Sequence, residues 1–498
     1  MLLADALILM VNQLLYCSDG NPNVTPNVTR EVCLRNRIRA ATLLKNDLGD
    51  IAGRLSTTFC TDELRAKVGP DARAPYRSYL APMMEKLGLT ITWAEQELAR
   101  VQKGHVPEEK IDLEDVYVTK KQLMDEILVL YNSLCDTGNR LTAEGKVLDF
   151  IRKLSSFGLT LCPLDVRQES TRHTEALDAI TKHLGIGSYA EWDEATRISW
   201  LQSEITNKRP LIRRSVWKDS ELFSDTVKDT LETFQMVSEQ HDDSLNAYVI
   251  SQATTPSDVL AVLLLQIDAG VKIPLRVVPL FETLEDLEGA ADTMDILFSL
   301  PAYKGHINGK QEVMIGYSDS AKDAGRLAAS WAQYETQEAL AIIAKQNSVD
   351  LVFFHGKGGT VGRGGNPATF KAILSHAPDT INGKFRVTEQ GECIYQNFGH
   401  PDRAERTMDI YTAAICAEKH TERPKPSPDW RKMMGKLSDV SCDAYRKIVR
   451  EDERFVPYFR SATPELELSQ LNIGSRPAKR NPTGGVESLR AIVSNSHV

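Results

Sequence analysis

Two groups of residues in this 498-residue chain have the types and spacing that chemistry requires. The first lies in residues 351–367, LVFFHGKGGTVGRGGNP. Four apolar residues lead into His355, and six glycines follow between Gly356 and Gly365, among them Gly356, Gly358 and Gly359, with Lys357 and Arg363 set between them. Glycine lets backbone N–H groups turn toward a ligand and come close to it, while the two cations add charge and donors. A phosphorylated or carboxylated small molecule suits that composition. A glycine-rich loop by itself is also an ordinary turn; the histidine at the end of an apolar run, beside a lysine and an arginine, is what favours an anion cradle. The familiar nucleotide motifs fail on spacing. No Lys-Ser/Thr follows the glycines, and Gly356, Gly358 and Gly362 are spaced as GxGxxxG, not GxGxxG.

The second group is a pair of carboxylates, Glu282 at the end of VVPLFE and Asp319 at the end of VMIGYSD. Magnesium or manganese takes one or two carboxylates and fills its other positions with water and substrate oxygens. Each carboxylate can equally cap a following helix. No HExxH motif or cysteine cluster offers another metal site.

Such residues need strands that end where they stand. Short apolar runs occur at 159–167 (LTLCPLDVR), 247–253 (AYVISQA), 275–283 (LRVVPLFET), 312–319 (EVMIGYSD), 350–356 (DLVFFHG), 385–391 (FRVTEQG) and 471–478 (LNIGSRPA), separated by helical patterns. Runs that do not alternate suggest strands buried on both faces, as in a parallel sheet covered by helices. Most end in polar or charged residues, the layout of a barrel whose site gathers at the carboxyl ends of its strands. Seven such runs fall one short of the eight that close it. Pro256-Ser257-Asp258, and Ser320 to Asp323 ahead of LAASWAQYETQEALAII, resemble helix starts. Upstream, from Asn27 to about Leu154, apolar residues recur at three- and four-residue intervals with few glycines, which predicts a helical scaffold.

Composition narrows the partners. With 42% hydrophobic and 26% charged residues the chain can bury a large core, and its net charge of −9 argues against nucleic acid. One basic run, Lys208 to Lys218, reads as an exposed loop. Eight scattered cysteines without CxxC pairs suit a reducing compartment. The first seventeen residues imitate a signal-peptide core but carry Asp5, lack a basic start and are too short to span a membrane.

FHGKGGTVGRGGNP resembles the FHGRGG(T/S)(V/I)GRGG signature of the phosphoenolpyruvate carboxylase family. Ordered blocks extend the resemblance nearly continuously from Asp19 to Ile492: DGNPNVTPNVTR (19–30), DVRQESTRHTEAL (165–177), TPSDVLAV (255–262), PLFETLEDL (279–287), MIGYSDSAKDAG (314–325), FRVTEQGE (385–392), FVPYFRSATPE (455–465) and GSRPAKRNPTGGVESLRAI (474–492). The resemblance is to bacterial and algal forms. It implies an α/β fold with a TIM-type (β/α)8 barrel, incomplete here, and extensive additional helices that make the chain predominantly helical. It divides the chain into a non-homologous start at 1–18, a helical scaffold at 19–154, a barrel region at 155–492 and a non-homologous end at 493–498.

The implied reaction is carboxylation of phosphoenolpyruvate by bicarbonate to oxaloacetate and phosphate, through carboxyphosphate and the enolate of pyruvate, an anaplerotic supply to the tricarboxylic acid cycle. Glu282 and Asp319 match the metal ligands for Mg2+ or Mn2+, with no organic cofactor. Arg167, Arg363, Arg476 and Arg490 match arginines that hold phosphate or carboxyphosphate oxygens, aided by Lys357 and the backbone of Gly356, Gly358 and Gly359. His355, Arg363 and Lys322 are expected in the carboxylation step. The family further implies a cytoplasmic homotetramer without nucleic-acid or membrane partners.

Three departures bear on activity. Lys357 stands where the signature most often has arginine, which keeps the charge and loses the fork. The TAHPT motif, whose histidine takes the proton from carboxyphosphate in the family, is absent, as is WMGGDR ahead of DGNP. After Ile492 the chain reads VSNSHV, where the family continues into a long helical region. The expectation is a carboxylase shortened at both ends. The alternative is a noncatalytic derivative that binds ligand or full-length subunits without turnover.

Overall fold

Thr25 starts the first long helix, α1 (Pro26–Arg54), by accepting the Val28 N–H on its side chain at 3.3 Å, with Pro26 in the first turn, where no N–H is needed. Ala41, Leu44, Leu48 and Ile51 then fall on one face at three- and four-residue spacing. The second helix, α2 (Pro75–Lys103), presents Leu80, Met83 and Leu87 in the same rhythm and ends on Gly104 in the left-handed region. Both faces enter one core with Leu123, Ile127, Leu130 and Phe150. Arg37 is buried there and donates to the carbonyls of Tyr117 and Val118 at 3.1 and 3.0 Å, so its charge is solvated by backbone. The expected scaffold is therefore helical throughout its core.

A computed structural model describes residues 15–17, 24–104, 111–207, 209–219, 221–241, 243–356, 368–381, 383–388, 391–420, 425–463, 485, 486 and 489. It divides into two compact units: Thr25–Leu164 and Glu239–Asn246 make up most of the first, and Asp165–Ser238 with Ala247–Val498 most of the second.

The second unit carries a parallel sheet in a mostly helical chain. Among the described residues its strands run in chain order: β1 (Leu15–Cys17), β2 (Leu164–Glu169), β3 (Leu245–Ser251), β4 (Arg276–Phe281), β5 (Lys310–Gly316), β6 (Asp350–Gly356) and β7 (Arg386–Val387). Each pairing whose register is defined is parallel. Six of the seven expected runs become strands, and 471–478 lies outside the described residues. Two boundaries move. The 159–167 run yields a strand only from Leu164, after Pro163, and the 385–391 run keeps two strand residues before a helix starts at Gly391. β1 falls in the apolar opening, which had not been read as a strand.

The sheet is curled. Laid flat, β2 and β7 would stand about 24 Å apart, five strand spacings, yet the Arg386 guanidinium on β7 donates to Asp165 on β2 and to Glu312 on β5. No side chain spans the flat distance, so the strands roll toward one another. Arg386 is buried, its guanidinium carbon 4.3 Å from the Phe354 ring centre. Burial opposes its charge, and Asp165 and Glu312 outweigh that and hold it protonated. Above this cluster an apolar layer of Ala247, Val249, Val278, Leu280, Met314 and Phe354 fills the curl.

Three helices frame the strand ends: α3 (Leu284–Ser299), α4 (Ser318–Ala324) and α5 (Arg326–Gln346). The helix at 256–268 starts as expected, with Thr255 and Asp258 forming a capping box. Ser320 to Asp323, expected as the start of the long helix, instead forms its own short helix. Gly325 breaks the two at φ +78°, and the Tyr445 ring stands 3.0 Å from where a Cβ would be. Tyr445 belongs to a further helix, α6 (Pro428–Val449).

One buried network makes stability depend on pH. His173 Nε2 lies 3.0 Å from the Tyr248 hydroxyl, which donates to Gln168 at 2.6 Å, so His173 serves as donor through Nε2. Burial, with a smaller contribution from Arg172, pushes the His173 imidazole down to about 3. The unfolded chain thus binds one more proton than the folded one between that value and the ordinary histidine range. Its contribution is complete above pH ~6.5 and is lost at about 1.4 kcal/mol per pH unit below it. Urea unfolding from pH 7 to 4.5 should show this slope in the wild type and a shallower one in His173→Phe.

Candidate functional site

Strand parity decides which side chains share the inside of the curl. Val278 and Leu280 face the apolar layer, so Glu282, two residues on, faces the same way. The Arg167 guanidinium on β2 meets it, donating from Nη2 to Glu282 Oε1 at 3.0 Å, with both side chains buried. The other oxygen, Oε2, accepts the Gln252 N–H at 3.0 Å, just past β3, where Gln252 takes φ +52°. Three strand ends converge on this one carboxylate.

Glu282 does not cap the helix that follows. Thr283 does, accepting from the Asp286 N–H at 3.1 Å, while Asp286 accepts from the Thr283 N–H at 2.9 Å. The alternative reading of Glu282 as a cap is set aside, and its carboxylate is left to the interior. Asp319 lies in the first turn of α4, where a carboxylate is favoured by the helix dipole. Lys322 is one turn further along, its carbonyl accepting from the Tyr445 hydroxyl at 2.9 Å.

Two glycines let the strand ends come this close. A Cβ on Gly316, at the end of β5, would meet the Phe281 carbonyl oxygen at 2.9 Å and Glu282 Cα at 3.0 Å. One on Gly356, at the end of β6, would meet the Ile315 carbonyl oxygen at 2.9 Å. These neighbours are backbone and cannot swing aside. Gly316→Ala is therefore expected to lower stability by about 1–3 kcal/mol, read as a lower thermal midpoint, and to displace Glu282.

His355 is placed differently. Phe354 occupies the inner layer, so His355 points to the opposite face of β6, and the structure does not bring its ring onto the face of Arg167 and Glu282. There His355 Nδ1 lies 2.9 Å from the Tyr317 hydroxyl, its ring stacks on Phe385 with centroids 5.0 Å apart, and the His376 ring centre is 4.2 Å away. Burial raises the Tyr317 phenol above its usual range and keeps its proton in place. His376 Nδ1 in turn lies 3.1 Å from Gln337 Oε1. Tyr317, His376 and the Arg386 cluster were not singled out from sequence. Lys357, Gly358, Gly359, Arg363, Arg476 and Arg490 lie outside the described residues.

Glu282 and Asp319 are donors of the type that a hard divalent cation takes. Among the described residues no cluster of three or more histidine, cysteine, aspartate or glutamate side chains is arranged to hold a metal. Glu282 and Asp319 offer only carboxylate oxygens, the first just after β4 and the second in the first turn of α4, after the adjacent strand β5. Such a pair matches an ion that keeps water and substrate oxygens in its shell, and not a closed zinc site.

Comparison with known proteins agrees with the motif reading. Residues 18–493 match the family model described as phosphoenolpyruvate carboxylase. The chain is 49% identical over 496 residues to phosphoenolpyruvate carboxylase 1 of Arabidopsis thaliana, covering 95% of this chain and 50% of the relative. It is 48% identical over 474 residues to phosphoenolpyruvate carboxylase of Marinomonas sp. (strain MWYL1), covering 95% of this chain and 52% of the relative. Plant and bacterial relatives are thus equally similar, and identity does not favour one lineage. The chain spans about half the length of the curated relatives it matches. With the signature motifs in order and half of all aligned positions identical, this chain belongs to the phosphoenolpyruvate carboxylase family.

Proposed function

We propose that this chain carboxylates phosphoenolpyruvate with bicarbonate, giving oxaloacetate and phosphate. The observation that carries the reading is the buried Arg167–Glu282 pair at the carboxyl ends of a curled parallel sheet, in a chain of this family. The curl itself supports a TIM-type barrel, in which that edge is the catalytic one.

Arg167 binds substrate. A guanidinium has five donors, so it can serve Glu282 and a phosphate oxygen together. Lys357, Arg363, Arg476 and Arg490, with the backbone of Gly356, Gly358 and Gly359, complete the anion cradle. Glu282 and Asp319 would hold Mg2+ or Mn2+, which when bound supplies positive charge beside the phosphate and enolate oxygens. An oxygen of bicarbonate attacks phosphorus and the bond to the enol oxygen breaks, giving carboxyphosphate and the enolate. Carboxyphosphate parts into carbon dioxide and phosphate, and the enolate carbon takes up the carbon dioxide. Lys322 and Arg363 attend that step. His355, turned to the other face, steadies the strand end from which the glycine-rich segment leaves. A cytoplasmic homotetramer is the assembly that family membership favours; among the described residues no helix is long and apolar enough to cross a membrane.

The test is oxaloacetate formation from phosphoenolpyruvate and bicarbonate, coupled to malate dehydrogenase. The expected result is turnover that needs magnesium and stops with a chelator. Oxygen-18 bicarbonate should leave one labelled oxygen in the phosphate, because the attacking oxygen stays on phosphorus. A folded chain that forms no oxaloacetate, or that forms it with unlabelled phosphate, would overturn the proposal.

A further inference from the structure

The two proposed metal carboxylates stand on different elements, Glu282 just after β4 and Asp319 in α4 after β5, and something must fix their spacing. Asp323 links the two elements. It lies four residues after Asp319 in α4, which puts the two side chains on one face of that helix. Its Oδ2 accepts the N–H of Leu284 at 3.0 Å, two residues beyond Glu282. Leu284 is the first residue of α3, and its N–H is one of the donors a helix leaves unsatisfied. Asp323 therefore ties the start of α3, two residues beyond Glu282, to the helix that carries Asp319.

The grip is itself held from α6. Arg446 Nη2 reaches Asp323 Oδ2 at 3.2 Å, and Arg450 Nη2 reaches Oδ1 at 2.8 Å. Arg446 Nε also donates to the Asp323 carbonyl at 3.3 Å. Leu284 packs against Ala324, Ala328 and Cys442, so apolar contact closes the same joint. A surface ion pair would not need these partners, since one carboxylate here takes a backbone donor from the start of α3 and a guanidinium from each of Arg446 and Arg450.

We infer that Asp323, fixed by Arg446 and Arg450, is a positioning residue that sets the separation of Glu282 and Asp319 and so tunes divalent-metal affinity. The inference rests on the metal assignment proposed above. Outer partners of metal ligands change affinity by about 10–100-fold when removed.

Manganese binding to the purified chain, followed by electron paramagnetic resonance of free Mn2+ without substrate, tests this apart from turnover. Asp323→Ala should weaken binding about ten-fold or more with an unchanged circular dichroism spectrum. Asp323→Asn, whose amide oxygen still accepts from Leu284, should recover most of the affinity. Should Asp323→Ala fail to fold, Arg446→Gln with Arg450→Gln loosens the same grip from the outer side and is expected to weaken binding several-fold. Wild-type affinity in a folded Asp323→Ala chain, or in the double variant, overturns the inference, provided Glu282→Ala abolishes binding. If Glu282→Ala binds manganese as the wild type does, the metal assignment itself fails, and the inference falls with it.

Discussion

Arg386→Met should lower the stability of the sheet-bearing unit by about 3–5 kcal/mol, the cost of removing one partner from a buried ion pair. Arg386 stands between Asp165 and Glu312, and the three come from β7, β2 and β5. Methionine fills much of the volume over Phe354 but supplies no charge, so two buried carboxylates lose the cation they share. Glu312 keeps Arg276 at 3.2 Å, while Asp165 loses the contact that ties β2 to the far end of the sheet. The expected readings are a lower urea midpoint and faster amide exchange in β2 and β7 than in β4. Adding Asp165→Leu should restore part of the loss, because apolar replacement of a whole buried pair is often neutral or stabilising. A loss below ~1 kcal/mol in the single variant, the range of an exposed pair, would mean that the curl is closed by packing alone.

This cluster also shows where sequence reasoning stops. Six strands were legible because each is a short, non-alternating apolar run between helical patterns, and the same feature hid their facing. A strand buried on both sides, such as LVFFHG, gives no period from which to tell that Phe354 points inward and His355 outward. Glu282 and Arg167 were legible as candidates from motif positions, yet their direct contact joins residues 115 apart in the chain. Arg386 and Asp165 are 221 apart, and neither stands in a pattern that marks it as buried. β1 was missed for a local reason: it is only three residues long, and the apolar opening that leads into it imitates a signal-peptide core instead of a strand. Asp323 was visible only as part of a helix start. Its link between α4 and the start of α3 is braced from α6, whose Tyr445 packs against Gly325 where the chain turns and whose neighbour Arg450 reaches Asp323.

The second large effect is expected at Glu282. Glu282→Gln keeps the volume and the acceptor for the Gln252 N–H, so the strand end should stay folded, but it removes the negative charge that faces Arg167. Two losses then act together. The metal proposed for Glu282 and Asp319 would keep one of its two carboxylates, and the Arg167 guanidinium, no longer anchored by an anion, would be free to follow the substrate phosphate into an unproductive position. Outer-shell and oxyanion substitutions each cost about 10–1,000-fold, and a metal ligand should lie at the upper end. Turnover should therefore fall by about a thousand-fold, a barrier increase of about 4 kcal/mol, with a raised magnesium requirement and partial recovery at high magnesium. Arg167→Lys separates the two losses. It leaves a cation beside Glu282 but no fork, so it should raise KM for phosphoenolpyruvate while leaving the magnesium requirement near the wild-type value. If Glu282→Gln turned over within a few-fold of the wild type at the same magnesium, the pair would be a structural tie between β2 and β4, and the metal would have to be held elsewhere. If both variants raised the magnesium requirement equally, Arg167 would act through the orientation of Glu282 and not through the substrate, and the anion cradle would begin at Gly356.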